Sequence, residues 1–469
     1  MIESIKNIFS IPDLRKRVLY TLGLLAVYRI GGHIATPGVR WQALERWFAQ
    51  TQGGGLLGFV DLFSGGNLRR FTIFALGIMP YVSASIILQL LTVISPTLER
   101  LSKEGEVGRR KITQWTRYGT VALSIIQSGA IAYWLQSVNV GAGGERVVAS
   151  SLSGPPFILL TILTLTTGTA FIMWLGEQIS DRGIGNGISL IIFAGIVVNL
   201  PNAVIKTASQ VMDNTISPIV VILLCLVMAA VVAGIVFVER AQRKIPIQYA
   251  RRVVGRKIYG GQSTYLPLRV NSGGVIPVIF ASSILAIPQT LMKYLADKSG
   301  WPSLGVIQAQ LAYSMPIYNL LYFTAIIFFC FFYTSIIFNP VDTADNMKKY
   351  GGFIPGIRPG RRTAEYIDRI LTRLTFGGAI YLGAISILPV FLISGLHLHQ
   401  LWPPAVGAFF DNLPGFINTG LGISFYFGGT SLLIVVGVAM DTVQQIESQL
   451  IMRNYDGFLK GTRIRGRRG

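Results

Sequence analysis

The sequence is short of charge. Of its 469 residues only 13% are Asp, Glu, Lys or Arg, where a soluble domain carries about a quarter. Acid is the scarcer sign, with 21 Asp and Glu against 41 Lys and Arg. Cysteine occurs twice, at Cys225 and Cys330. Both lie inside apolar runs, which argues against a disulfide or a cysteine metal site and for small packing residues. Histidine occurs three times, at His33, His397 and His399. The HLH at 397–399 has no Cys or carboxylate beside it, so no metal is expected. No Gly-Lys dipeptide and no HExxH occur, which excludes a P-loop and a zincin site. GIGNG at 183–187 follows no strand and opens an apolar run, so it is no dinucleotide fingerprint. Glu177, Asp181, Glu239 and Asp441 all fall at the ends of apolar runs, leaving no carboxylate at membrane depth to couple an ion gradient. No cofactor is expected.

What is present is apolar length. The chain is 51% hydrophobic, with a mean hydropathy of +0.54. Runs of about 20 apolar residues recur throughout, the signature of a polytopic α-helical membrane protein. The first run is followed by many others and shows no small-residue cleavage site, so it reads as a crossing and not as a signal peptide. Ten crossings are expected, at about 18–37, 71–92, 118–137, 155–175, 188–208, 216–238, 275–294, 317–338, 374–395 and 421–441. Most of the Lys and Arg then fall on the side that holds both termini, and the positive-inside rule makes that side cytoplasmic. Arg29 lies within the first crossing, toward its outer end, where it can snorkel. Two groups of five crossings enter from opposite sides, which suggests inverted repeats: 1–210, and 211–441 followed by a basic tail at 442–469.

Two loops on the basic side are longer than topology needs. They span 239–274 and 339–373, and they keep Ile, Val, Tyr and Leu at spacings that suggest local structure. Topology with lipid headgroups is one reading. Docking of a cytoplasmic partner, such as one carrying RNA, is the other. Aromatics are sparse among the basic residues and no RNA-binding module is recognisable, so sequence-specific nucleic-acid binding is not expected. One short stretch is stranger. GFVDLFSGGN at 58–67 is half apolar, too short to span, broken by Gly65-Gly66, and followed by Arg69-Arg70. Read alone it is an interfacial amphipathic helix.

Several stretches are similar to one family. IFALGIMPYVSASIILQLLT (73–92), KEGEVGRRKITQWTRYGT (103–120), DRGIGNGISLIIFAGIV (181–197), GGVIPVIFASSI (273–284), NPVDTADNMKKYGGFIPGIRPG (339–360) and GGTSLLIVVGVAMD (428–441) resemble SecY, the channel-forming subunits of the bacterial Sec protein translocase. The resemblance runs from the first crossing to the tenth. It implies an all-α membrane protein with ten transmembrane helices in two inverted five-helix halves around a central pore. It implies a bacterial plasma (inner) membrane location and a channel that passes unfolded secretory proteins and releases transmembrane segments sideways into lipid. The stubby stretch would then be a plug at about 58–68, comprising Phe59, Val60, Asp61, Leu62, Phe63, Ser64, Gly65, Gly66 and Asn67, hinged at its glycines.

The same resemblance implies an apolar pore ring of Val82, Ile86, Ile188, Ile192, Ile279 and Ile434. Val82 stands where the family often has Ile, which implies a slightly wider ring. Such a ring offers ions and water no hydrogen-bonding partner. A lateral gate would lie where crossings two and three meet seven and eight. Ile87, Gln89, Thr92, Gln127 and Ile287 are its candidates, with ordinary helix packing as the alternative for the polar ones. Arg251, Arg252, Arg256, Lys257 and Arg358 are candidates for docking the SecA motor or a translating ribosome. Topology alone is the other reading of each. SecE and SecG are the implied subunits, and preprotein signal sequences and membrane lipid the implied ligands. No enzyme activity is expected. The rivals are a secondary transporter built on inverted repeats and an intramembrane enzyme; the latter needs an inward nucleophile and base, and His33 is the sole histidine in any crossing.

Overall fold

The structure is a computed structural model and describes residues 11–50, 61, 64–140, 145–149, 153–213, 217–249, 252–254, 257–259, 263–299, 302–312, 315–395, 397–398, 418 and 429–461. Its contacts divide the chain into two compact units, Met1–Asn202 with Val438–Gly469, and Ala203–Gly437. Both are helical at their cores.

In the first unit α1 (Pro12–Gly31), α2 (Trp41–Gln50), α3 (Met79–Ile94), α4 (Pro96–Lys103), α5 (Glu106–Ser137), α6 (Pro155–Arg182) and α7 (Gly187–Val198) follow in order, with a small β1–β2 ribbon at Asn139–Val140 and Glu145–Arg146. α5 packs on α3 and α6, and α6 packs on α1 and α7. Leu68, Phe71, Leu135, Phe157 and Leu165 form the fully buried centre of this packing. Trp47 of α2 meets Trp134 of α5 edge to face at 5.2 Å, a favourable aromatic geometry. The GIGNG stretch is a helix start. Gly185 takes φ +87, and the Asn186 side chain accepts the N–H groups of Ile188 and Ser189 at 3.1 and 3.4 Å, the usual N-cap arrangement.

α8 (Leu200–Met212) follows a break at Asn199 and leads into the second unit. There α9 (Pro218–Arg240), α10 (Ile276–Ser299), α11 (Pro302–Gln310), α12 (Pro316–Ile337), α13 (Pro340–Lys349) and α14 (Arg361–Ser394) alternate with five strands. These are β3 (Gln242–Tyr249), β4 (Arg252–Val254), β5 (Lys257–Tyr259), β6 (Ser263–Arg269) and β7 (Gly352–Phe353). α12 packs on α10 and α14. α15 (Gly429–Gly461) begins in this unit and ends in the first. Cys225 and Cys330 are both free thiols.

Among the described residues five helices are long and apolar enough to cross a bilayer: Pro155–Arg182, Gly187–Met212, Pro218–Arg240, Pro316–Lys349 and Arg361–Leu388. A sixth arises if α3 and α4, bent by 101° at Ser95, count as one. Two expected boundaries are corrected. The first crossing ends at Gly31, and 32–37 leave the helix. The second starts at Met79 and not at Phe71, because 71–78 form successive turns. Gly77 at φ +55 and Pro80 in the first helical turn fix that start; proline lacks the N–H that the first turn leaves unpaired in any case.

Candidate functional site

The stubby stretch of the first unit sits in a seat built from backbone. Asp61, Ser64, Gly65, Gly66 and Asn67 are described, whereas Phe59, Val60, Leu62 and Phe63 lie outside the described residues. Gly66 N–H donates to the Asp61 carbonyl at 2.9 Å, a bond across five residues that ends a helix in a left-handed cap. Gly65 and Gly66 supply that cap with φ +74 and +83. A Cβ on Gly65 would lie 2.8 Å from the Cα of Gly195 in α7. Here only glycine on both strands of backbone allows the approach. The seat continues with Gly32, where a Cβ would lie 2.6 Å from Asn67 Oδ1, and with Gly31 and Gly168, against the Phe74 ring and the Ile73 carbonyl.

Polar groups lock the segment. The Tyr28 hydroxyl of α1 donates to the Ser64 carbonyl at 3.1 Å and accepts from Asn67 Nδ2 at 3.4 Å. Ser64 Oγ donates to the Asp61 carbonyl at 3.1 Å and accepts the N–H of Leu68. Asp61 is the buried charge of the group, with 1% of its surface exposed. Its Oδ1 accepts the Arg69 N–H at 2.8 Å, and its Oδ2 lies 3.4 Å from the Arg69 guanidinium. Burial raises the Asp61 carboxyl above its ordinary range, and the nearby Arg69 opposes that rise. Arg69, the first of the basic pair, thus has a structural role, partly offsetting the cost of burying Asp61. After Asn67, Leu68, Phe71, Phe74, Ala75, Leu76 and Ile78 are buried. Phe74 stacks between Tyr28 at 5.7 Å and Phe171 at 6.1 Å.

The ring candidates are placed unit by unit. In the first unit Val82 and Ile86 lie one turn apart on α3 and are both buried, as is Ile192 on α7. Ile188, also on α7, is half-buried, with its side chain beside Gly176 of α6. In the second, Ile279 on α10 and Ile434 on α15 are buried. Of the gate candidates, Ile87 is exposed on α3. Gln89 and Thr92 are half-buried, and their described bonds stay within α3, to Ser85 Oγ at 3.2 Å and the Gln89 carbonyl at 2.6 Å. Gln127 is half-buried on α5. Ile287 lies on α10.

The two basic loops form one small structure. β3 pairs antiparallel with β6 and with β7, giving the order β6-β3-β7. β4 and β5 pair between β3 and β6 in the chain. Loop 239–274 supplies β3 and β6, and loop 339–373 supplies α13 and β7. Ile245, Ile247, Leu268, Met347, Ile354 and Ile367 close a core beneath them. The alternation of Ile245 and Ile247 in QRKIPIQY is the strand period, a signal that the sequence carries. Arg243 and Lys244 point outward. Arg358 is exposed on a turn held by two bonds: the Ile357 N–H donates to the Ile354 carbonyl, and Thr363 Oγ1 donates to the Arg358 carbonyl. Arg252 and Lys257 lie on β4 and β5, and Arg251 and Arg256 lie outside the described residues.

Sequence reasoning missed Tyr28 and the glycine partners Gly195 and Gly168. Gly65-Gly66 was the one visible signal, and nothing in the chain order says which helix backbone they meet. Among the described residues no three His, Cys, Asp or Glu cluster to hold a metal.

Comparison with known proteins supplies the family. A model of the SecY family matches residues 72–443. The protein translocase subunit SecY of Streptomyces griseus is 47% identical over 466 residues, covering 98% of this chain and 100% of that protein. A solved structure reported with the statement that the plug domain of the SecY protein stabilises the closed state of the translocation channel aligns with a TM-score of 0.56 at 19% identity, over 93% of this chain and 92% of that one. Sec61 in the canine ribosome-channel complex from the endoplasmic reticulum aligns with a TM-score of 0.52 at 17% identity, over 93% and 92%.

Proposed function

From the premise that this chain belongs to the SecY family, and so is a multi-pass membrane protein forming the protein-conducting channel of a translocase and not an enzyme, we propose how its parts divide that work. The secondary-transporter and intramembrane-enzyme readings fall with that membership. The stretch around Asp61–Asn67 is the plug. The observation that supports this assignment is the attachment of its described residues: Tyr28 and Arg69 bind Ser64, Asn67 and Asp61 through polar groups, and Gly65 meets the backbone of Gly195.

Val82, Ile86, Ile188, Ile192, Ile279 and Ile434 form the apolar ring through which the extended chain passes. Branched apolar side chains give ions no coordination and give a passing polypeptide no strong site in which to stick. The ten crossings form inverted halves, 1–210 and 211–441, and Ile87, Gln89, Thr92, Gln127 and Ile287 line a lateral gate that releases transmembrane segments into lipid. Signal sequences enter there. The joined loops are the docking platform for SecA or a translating ribosome, with Arg252, Lys257 and Arg358 in contact and Arg251 and Arg256 beside them. The exposed Arg358 turn and its apolar footing support this, since a planar guanidinium on a rigid turn suits carboxylate or phosphate. SecE and SecG complete the complex in the bacterial plasma membrane, with both termini cytoplasmic. Energy for transport comes from the docked motor, the ribosome or the membrane potential.

Site-specific photocrosslinking tests the assignment. A probe is placed at Ile86, Ile192 and Ile434 in turn, and a preprotein is stalled halfway. Crosslinks to the preprotein at all three positions, lost on its release, are expected. Crosslinks to lipid alone would remove the ring.

A further inference from the structure

The docking hairpin does not end at its strands. At its base Val270 N–H donates to the Ala241 carbonyl at 3.1 Å, the last rung before β3 and β6 meet the membrane helices. Immediately below, Asn271 is buried at 6% exposure. Its Nδ2 donates to Glu239 Oε1 at 2.6 Å and to the Gly274 carbonyl at 3.1 Å. Glu239 closes α9, and Gly274 opens the turn into α10. One side-chain amide therefore ties the helix that enters the hairpin to the helix that leaves it.

The space around this tie is confined. Gly378 of α14 comes so close that a Cβ would lie 2.7 Å from the Val270 carbonyl, and a Cβ on Gly273 would lie 2.8 Å from Pro277. Gly274 takes φ +58. The turn packs closely on α14, and α10 starts directly from it. That helix carries Ile279, one turn in, and Ile287 further along. A hydrogen bond to a carboxylate is the strong kind, and the buried Asn271 amide is costly to leave unpaired.

We propose that Glu239 and Asn271 are positioning residues that couple partner docking on the hairpin to movement of α10, the helix of the ring and gate. The proposal rests on the docking and ring assignments above. It separates two quantities that a merely structural bond would move together: affinity for the motor, and transport per motor bound.

The test uses the complete translocase in vesicles, with purified SecA and a fluorescent preprotein. Glu239→Ala and Asn271→Ala are each expected to leave SecA affinity within about twofold and to cut translocation per bound SecA about tenfold, the shift that loss of one charge-assisted hydrogen bond produces. The double variant is expected to lose less than the sum of the two singles, since they share the Glu239–Asn271 bond. Glu239→Gln keeps an acceptor of the same shape and is expected to stay near the parent. Additive losses, equal damage from Glu239→Gln and Glu239→Ala, or SecA affinity falling in step with transport would each overturn the coupling. Should Asn271→Ala fail to assemble, the Glu239→Ala and Glu239→Gln pair carries the same test alone. Arg358→Glu is run beside them. If it leaves SecA affinity intact, the docking assignment has failed; if it abolishes docking while Glu239→Ala transports normally, only the coupling has failed.

Discussion

The stretch proposed as the plug and the hairpin proposed for docking show different contacts. The described residues of the first, Asp61 and 64–67, are polar residues and glycines. They are kept by the Tyr28 hydroxyl, by the Asp61–Arg69 pair and by glycine backbone against glycine backbone. The hairpin is kept by six buried apolar side chains drawn from two distant loops, and its charges face outward. A buried hydrogen bond fails when one named partner is lost, whereas a packed apolar cluster holds cooperatively. The two attachments therefore answer to different substitutions, the first to loss of a polar partner and the second to loss of packing.

The contrast can be broken at its strongest point first. Arg358→Glu reverses a charge on an exposed turn whose footing is apolar. Docking of an acidic or phosphate-bearing partner is expected to weaken about a hundredfold, as loss of a cross-interface charge pair does. The melting temperature of the purified channel should not change. A parallel loss of stability would mean that the hairpin too depends on its charges.

Next in size is Gly65→Ala. It forces a side chain into the left-handed region and toward the Cα of Gly195, a strain of about 1–3 kcal/mol. The seat should loosen before the fold does, so closed-channel ion conductance rises about tenfold while the protein stays assembled. Unchanged conductance in single-channel recordings would detach residue 65 from the seal.

The smallest effect expected is on pH. Burial raises the Asp61 carboxyl in the seated segment, and a released segment in water regains the ordinary value near 3.9. The seated form therefore binds the proton more readily. Seating is favoured below the ordinary value and weakens as pH rises from there through the raised one. Closed-channel leak should increase with pH over that window, and Asp61→Asn should flatten the profile. An unaltered slope in Asp61→Asn would assign the dependence to another group.

Much of this was legible in the chain. Scarce charge, repeated apolar runs and their basic flanks gave the class and the position of most helices, because burial in lipid depends on composition and length alone. The spacing of Ile, Val, Tyr and Leu in the two basic loops signalled local structure there without distinguishing strand from helix. The non-helical run at 71–78 was not, although its residues are as apolar as those of a crossing. Its backbone fits there because Gly31 and Gly168 leave room for Phe74 and Ile73, and the sequence does not say which glycines will face it.

By itself, then, the sequence determined a polytopic membrane protein with two long basic loops, since hydropathy and charge act locally and can be read in order; its motifs carried the likeness to a channel family. Tertiary structure decided the rest. It chose Tyr28 as the partner of Ser64 and Asn67, 36 and 39 residues away. It brought loop 339–373 onto the sheet edge of loop 239–274. It paired Glu239 with Asn271. Each of these is a contact between groups far apart in the chain, and each exists only because the helices between them pack closely enough to bring hydrogen-bond partners within about 3 Å.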